Sequence, residues 1–199
     1  MNKIALVLIC FLILVSIQVV KADDSFNDSL IKAAADCNLS KAKYALSHGA
    51  DIDAQNSSVI LAATVPYGQH GRRHRASDCI SVIKLLLDHG VDVNSPTGNN
   101  GMTALMTATL SNQLSVVKFL LSYGANVNIQ DKSGWTALMH ASLAGDVNIV
   151  KILLSHGADV NIKSDEGDTA LSIAETNKHI NLVRYSKVIR LLKAAWIKE

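Results

Sequence analysis

The chain has 199 residues, of which 49% are hydrophobic and 18% charged, with a formal net charge of +2. That length suits one domain, and the apolar fraction supplies a core and excludes a chain that is disordered by composition. Two prolines and 5% aromatics favour helices over a β-sandwich.

The first element in chain order is a targeting segment. Lys3 precedes a run from Ile4 to Val20 that is apolar except for Ser16 and Gln18. Val20-Lys21-Ala22 then offers a small-x-small site, followed by polar Asp23-Asp24-Ser25. This pattern predicts a secretory signal peptide over 1–22, cut after Ala22, and a short lead over 23–27. An uncleaved anchor is the alternative; the run lies at the short edge of the roughly 20 residues that span a bilayer. Cleavage removes Lys3 and Lys21 and leaves 17 Lys+Arg against 17 Asp+Glu, a formally neutral chain. Without a global basic field, neither nucleic acid nor membrane is expected as a partner of the mature chain. Cys37 and Cys79 remain, and export would place them in an oxidising compartment, periplasmic or extracellular.

From there one phrase keeps returning: "SHGADID" at 47–53, "DHGVDVN" at 88–94, "SYGANVN" at 122–128 and "SHGADVN" at 155–161. Its glycines, at 49, 90, 124 and 157, are 41, 34 and 33 residues apart. A second phrase, "GMTALMTA", "GWTALMHA" and "GDTALSIA", starts at 101, 134 and 167, twice at a spacing of 33. A fixed period of this size marks a stack of similar units. Within one unit, Thr136 is placed to cap a helix whose small apolar face is Ala137, Leu138 and Ala141. Val147, Val150, Leu153 and Leu154 recur at three- and four-residue spacing, one face of a second helix. "ADVNIKSDEG" has turn formers and no helical period, so it is a loop or hairpin. The unit is helix, turn, helix, extended turn, and it buries its apolar face only against a neighbour.

These residues resemble the ankyrin repeat family, with its G-x-T-P-L-H-x-A first helix, its V-x-x-L-L-x-x-G-A-D-V-N ending and its 33-residue period. Ala104, Ala137 and Ala170 stand where the family has proline. The resemblance covers about residues 28–195 and implies an all-α solenoid of helix-turn-helix units joined by short β-hairpins or extended loops. Five repeats are expected within 28–199: 28–53, 54–94, 95–128, 129–161 and 162–195. The first lacks a leading hairpin, has Asp28 at the capping position and has Cys37 at the turn glycine. The second has Ser58 at its capping position, a shortened hairpin and an insertion between its helices, with Asp78 at the turn position. The fifth holds six extra residues and caps the stack.

His48, His89 and His156 share one position, but neighbouring repeats lie roughly 10 Å apart, too far for one metal ion. A His at a helix C-terminus is favoured by the dipole instead. No metal site or cofactor is expected. No G-x-S-x-G, H-E-x-x-H, C-x-x-C or P-loop occurs, so no enzyme is expected either.

The insertion "VPYGQHGRRHRASD" (65–78) gathers His70, Arg72, Arg73, His74 and Arg75 with no acid before Asp78. It is a solvated loop or a basic lip for a metal, an anion or an acidic surface. In the repeat frame Cys37 and Cys79 fall about 8–10 Å apart, beyond the roughly 7 Å limit for a disulfide unless the loops adjust. A disulfide and two separate thiols both remain open. Asn27, Asn38 and Asn56 each begin an N-x-[ST] triplet.

For function, the resemblance implies a monomeric module that binds a partner protein through hairpin tips and the concave face of the first helices. Carried onto this chain, that surface is Asn99, Asn100, Met102, Leu110 and Ser111 in the third repeat. It continues with Lys132, Ser133, Trp135, Leu143 and Ala144 in the fourth, and Asp165, Glu166, Asp168, Thr176 and Asn177 in the fifth. Trp135 precedes the capping Thr, where a side chain points off the hairpin as a binding anchor or packs on neighbouring hairpins.

Overall fold

A computed structural model of the chain describes residues 26–52, 56–64, 75–96 and 100–196. The expected signal peptide (1–22), most of the insertion (65–74) and Asn99 lie outside the described residues.

Helices come in pairs. Residues 26–35 form α1, followed by α2 (Leu39–Ser47), α3 (Asn56–Ala63) and α4 (Ala76–Asp88). Then come α5 (Ala104–Leu110), α6 (Leu114–Ser122), α7 (Ala137–Ala144) and α8 (Val147–Ser155). The last pair is α9 (Ala170–Thr176) and α10 (Leu182–Trp196), separated by a 3₁₀ turn at Asn177–His179. No β-strand occurs among the described residues. In one layer α3, α5, α7 and α9 lie side by side; in the other α2, α4, α6, α8 and α10 do.

The capping chemistry repeats with the period. Thr103, Thr136 and Thr169 accept from the backbone N–H of Met106, Met139 and Ser172 at 3.3, 3.3 and 3.2 Å. Each bond satisfies one donor that the first helical turn would leave open. Between the layers runs one apolar core, with Leu105, Leu120, Leu138, Ile149, Leu153 and Leu192 among its fully buried side chains. A short amphipathic helix gains most of its stability from such packing rather than from propensity, so no repeat here stands alone.

The recurring D/N-x-N phrase stitches the stack. Within each copy, Asp92, Asn126 and Asp159 accept through Oδ1 from the N–H of Asn94, Asn128 and Asn161 at 2.9, 2.9 and 2.7 Å. Between copies, Asn94 Oδ1 accepts the Asn126 N–H at 2.8 Å. In the first repeat Asn27 of α1 makes the corresponding bond, its Oδ1 accepting the Asp51 N–H at 2.6 Å. Asn27 is buried, so it offers no exposed glycan acceptor; Asn38 caps α2.

Three local expectations are corrected. Asp28 lies inside α1 rather than at its cap, because the helix already includes residue 26. Ser58 lies inside α3, which begins two residues earlier. Asp78 lies in the first turn of α4, not in an inter-helix turn. The chain inserted before Arg75 lets α4 run to 13 residues where α8 has 9.

Candidate functional site

The hairpin tips are joined in sequence. Lys132 N–H donates to the Asn100 carbonyl at 3.0 Å, and Asp165 N–H donates to the Ser133 carbonyl at 3.1 Å. Gln130 of the fourth repeat also donates to the Lys163 carbonyl at 2.9 Å. The fingers therefore present their outer side chains at fixed spacing. Asn100, Lys132, Ser133, Asp165 and Glu166 are all exposed. Asp168 is half-buried; its Oδ1 accepts from the Ser172 hydroxyl at 2.9 Å, so it belongs to the start of α9 rather than to a free tip.

On the first helices the expected residues divide. Leu110 and Leu143, one repeat apart at the ends of α5 and α7, are 51% and 39% exposed. Ser111 is half-buried as the residue that closes α5. Ala144 and Asn177 are half-buried and Thr176 is exposed. Met102 is half-buried and packs on the core.

Trp135 is likewise half-buried, with its ring 5.2 Å from that of His140. It packs against the core beside His140 of α7. The cause is a local polar knot. Asp131 Oδ1 accepts the N–H groups of Ser133 and Trp135 at 2.8 and 2.9 Å, which curls the hairpin and lays the indole back against α7. Asp131 Oδ2 faces His140 Nε2 at 3.7 Å, beyond hydrogen-bond reach. Neither ring nitrogen of His140 has a hydrogen-bond partner among the described residues. Burial lowers its pKa below the usual value near 6.5, and the Asp131 carboxylate opposes that shift. His140 is the residue that sequence reasoning missed here. The only available signal was a titratable side chain in a run of helix-core positions.

The histidines that share one position behave as caps. Nδ1 of His48, His89 and His156 lies 2.9, 2.8 and 2.9 Å from the carbonyl four residues earlier. In the third repeat Tyr123 takes this place, and its hydroxyl donates to the Asp88 carboxylate of the preceding repeat. No group of three potential metal ligands occurs among the described residues. Of the basic cluster, Arg75 is exposed just before α4; His70, Arg72, Arg73 and His74 lie outside the described residues.

Cys37 and Cys79 are joined as a disulfide with their Cα atoms 4.5 Å apart. The pair is closer than the repeat frame suggests because α4 starts early and turns Cys79 toward the α1–α2 turn. Cys37 there adopts φ +48°, the left-handed conformation for which the family uses glycine.

A family model described as ankyrin repeats (three copies) matches residues 30–131 and again 123–185. A comparison with curated proteins finds no match. With paired helices at a 33-residue period, threonine-capped first helices and hairpins bonded tip to tip, the chain belongs to the ankyrin repeat family, whose stacks are in general protein–protein interaction modules.

Proposed function

We propose that this chain is an exported scaffold that holds a partner protein against its hairpin tips and first helices. The observation that carries the reading is the pair Leu110 and Leu143. They recur at one repeat position and stay exposed, while Leu105 and Leu138 of the same helices are buried. Aligned exposed leucines beside fixed polar tips make an apolar contact with a polar rim, the anatomy of a binding surface. Rigidity helps, because a face ordered beforehand loses little entropy on association. Export is supported by the charged start, apolar run and small-x-small site of residues 1–22. A disulfide between Cys37 and Cys79 suits the oxidising compartment that export implies.

The test places a photo-cross-linking amino acid at Leu143, and at exposed Lys118 of α6 as a control. A discrete cross-linked protein band from Leu143 alone is the expected result. Equal labelling from both positions, or none from Leu143, would overturn the reading.

A further inference from the structure

We infer that the fifth repeat carries a peripheral docking surface for an anionic phospholipid bilayer, built on the turn before α10 and the outer face of that helix. The near-neutral total charge hides a segregation. Residues 176–196 hold Lys178, Arg184, Lys187, Arg190 and Lys193 and no Asp or Glu. All five cations are exposed. Lys193 pairs with Glu175 at 2.9 Å, whereas the other four make no ion pair among the described residues.

Beside these cations stand Ile180, Leu182 and Val183, exposed by 64, 62 and 68%. They are not a frayed end. The Arg184 N–H donates to Asn181 Oδ1 at 3.0 Å, and the Tyr185 hydroxyl donates to the Leu143 carbonyl at 2.6 Å. Tyr185, Val188 and Leu192 turn inward. At about 100° per residue this leaves Val183, Lys187 and Arg190 on the opposite, outward side of α10.

A polar outer face favours solubility, which accounts for the cations but not for three protruding aliphatics. A second copy docked by the same face would set cations against cations with no acid in the segment. The neighbouring groove is lined by Lys178, Ser186, Ile189, Arg190, Lys193 and Ala194 and not by the three aliphatics, so a partner seated in it would leave them uncovered. An anionic bilayer accommodates both features: aliphatics reach the acyl boundary while lysines and arginines lie among the headgroups. No helix among the described residues is long and apolar enough to cross a membrane, so this contact is peripheral.

The test uses the full chain with vesicles of phosphatidylcholine, alone or mixed equally with phosphatidylglycerol. Hydrogen exchange reports where the contact lies, independently of residues 1–25. Amides of 179–187 should gain protection on the mixed vesicles and none on phosphatidylcholine alone. Lys178→Glu/Lys187→Glu/Arg190→Glu should lower partitioning by roughly tenfold or more. Ile180→Ser/Leu182→Ser/Val183→Ser should lower it by a similar factor, roughly tenfold. Because every substituted side chain is exposed, both variants should keep the wild-type melting temperature. Unchanged exchange at 179–187 would overturn the proposal. So would partitioning indifferent to the serine variant, which would reduce the patch to a nonspecific basic surface. A dimer in sedimentation that the serine variant dissolves would assign the patch to a second copy instead.

Discussion

Asn128 Oδ1 accepts the Asp159 backbone N–H at 2.9 Å while its amide donates to the Gly157 carbonyl at 3.1 Å. One side chain at the end of the third repeat thus holds the turn that ends the fourth, as Asn94 does for Asn126 one repeat earlier. Asn128→Ala removes both bonds and should destabilise the stack by about 1–2 kcal/mol. Urea unfolding measures the loss, and exchange at 157–161 should speed up before exchange elsewhere does.

The Cys37–Cys79 bridge spans a sequence separation of 42 and ties the first repeat to the second. Chain-entropy arguments give such a loop about 4 kcal/mol. Reduction, or Cys37→Ser with Cys79→Ser, should lower the urea midpoint of the N-terminal repeats and leave α7 to α10 protected. A reduced protein with unchanged N-terminal exchange would show that packing alone suffices there.

His140 makes the fold acid-sensitive. Its pKa in the folded chain lies below the ordinary 6.5 because burial disfavours the charged ring, with Asp131 opposing. α5 and α7 bring no other charged group; on neighbouring α9, Glu175 is exposed and paired with Lys193. On the hairpins, Lys132, Lys163, Asp165 and Glu166 are exposed and Asp168 is half-buried at the start of α9. Between the folded pKa and 6.5 the unfolded chain binds more protons, so stability rises with pH and is lost as pH falls through that window. The urea midpoint should drop between about pH 7.5 and about pH 5, and His140→Leu should reduce the drop. An identical drop in the variant would place the sensitivity elsewhere.

Gly134 shows how tightly neighbouring fingers approach. It adopts φ +75°, and an added Cβ would lie 2.8 Å from the backbone nitrogen of Asp165 in the next hairpin. Gly134→Ala combines backbone strain with a contact that cannot yield, and should cost about 3 kcal/mol. Gly157 also has positive φ, but an added Cβ meets nothing within 4 Å. Gly157→Ala should therefore cost only about 1 kcal/mol. Paired thermal melts of the two variants separate steric approach from conformation.

By itself the sequence determined the unit and its count of residues per turn of the stack. A capping threonine, a three-and-four apolar spacing and a turn phrase are local instructions, readable wherever Thr136, Leu153 or Asn128 stands in its copy. Tertiary structure decided what depends on neighbours far along the chain. Leu110 stays exposed and Leu105 does not, although both are leucines of one helix. Trp135 lies back on α7 because Asp131 curls the hairpin that carries it. Cys79 meets Cys37 because α4 begins earlier than the repeat frame places it. Burial and approach are properties of the assembled stack, where each surface is covered by residues about 33 positions away, and no window of the chain contains both sides of such a contact.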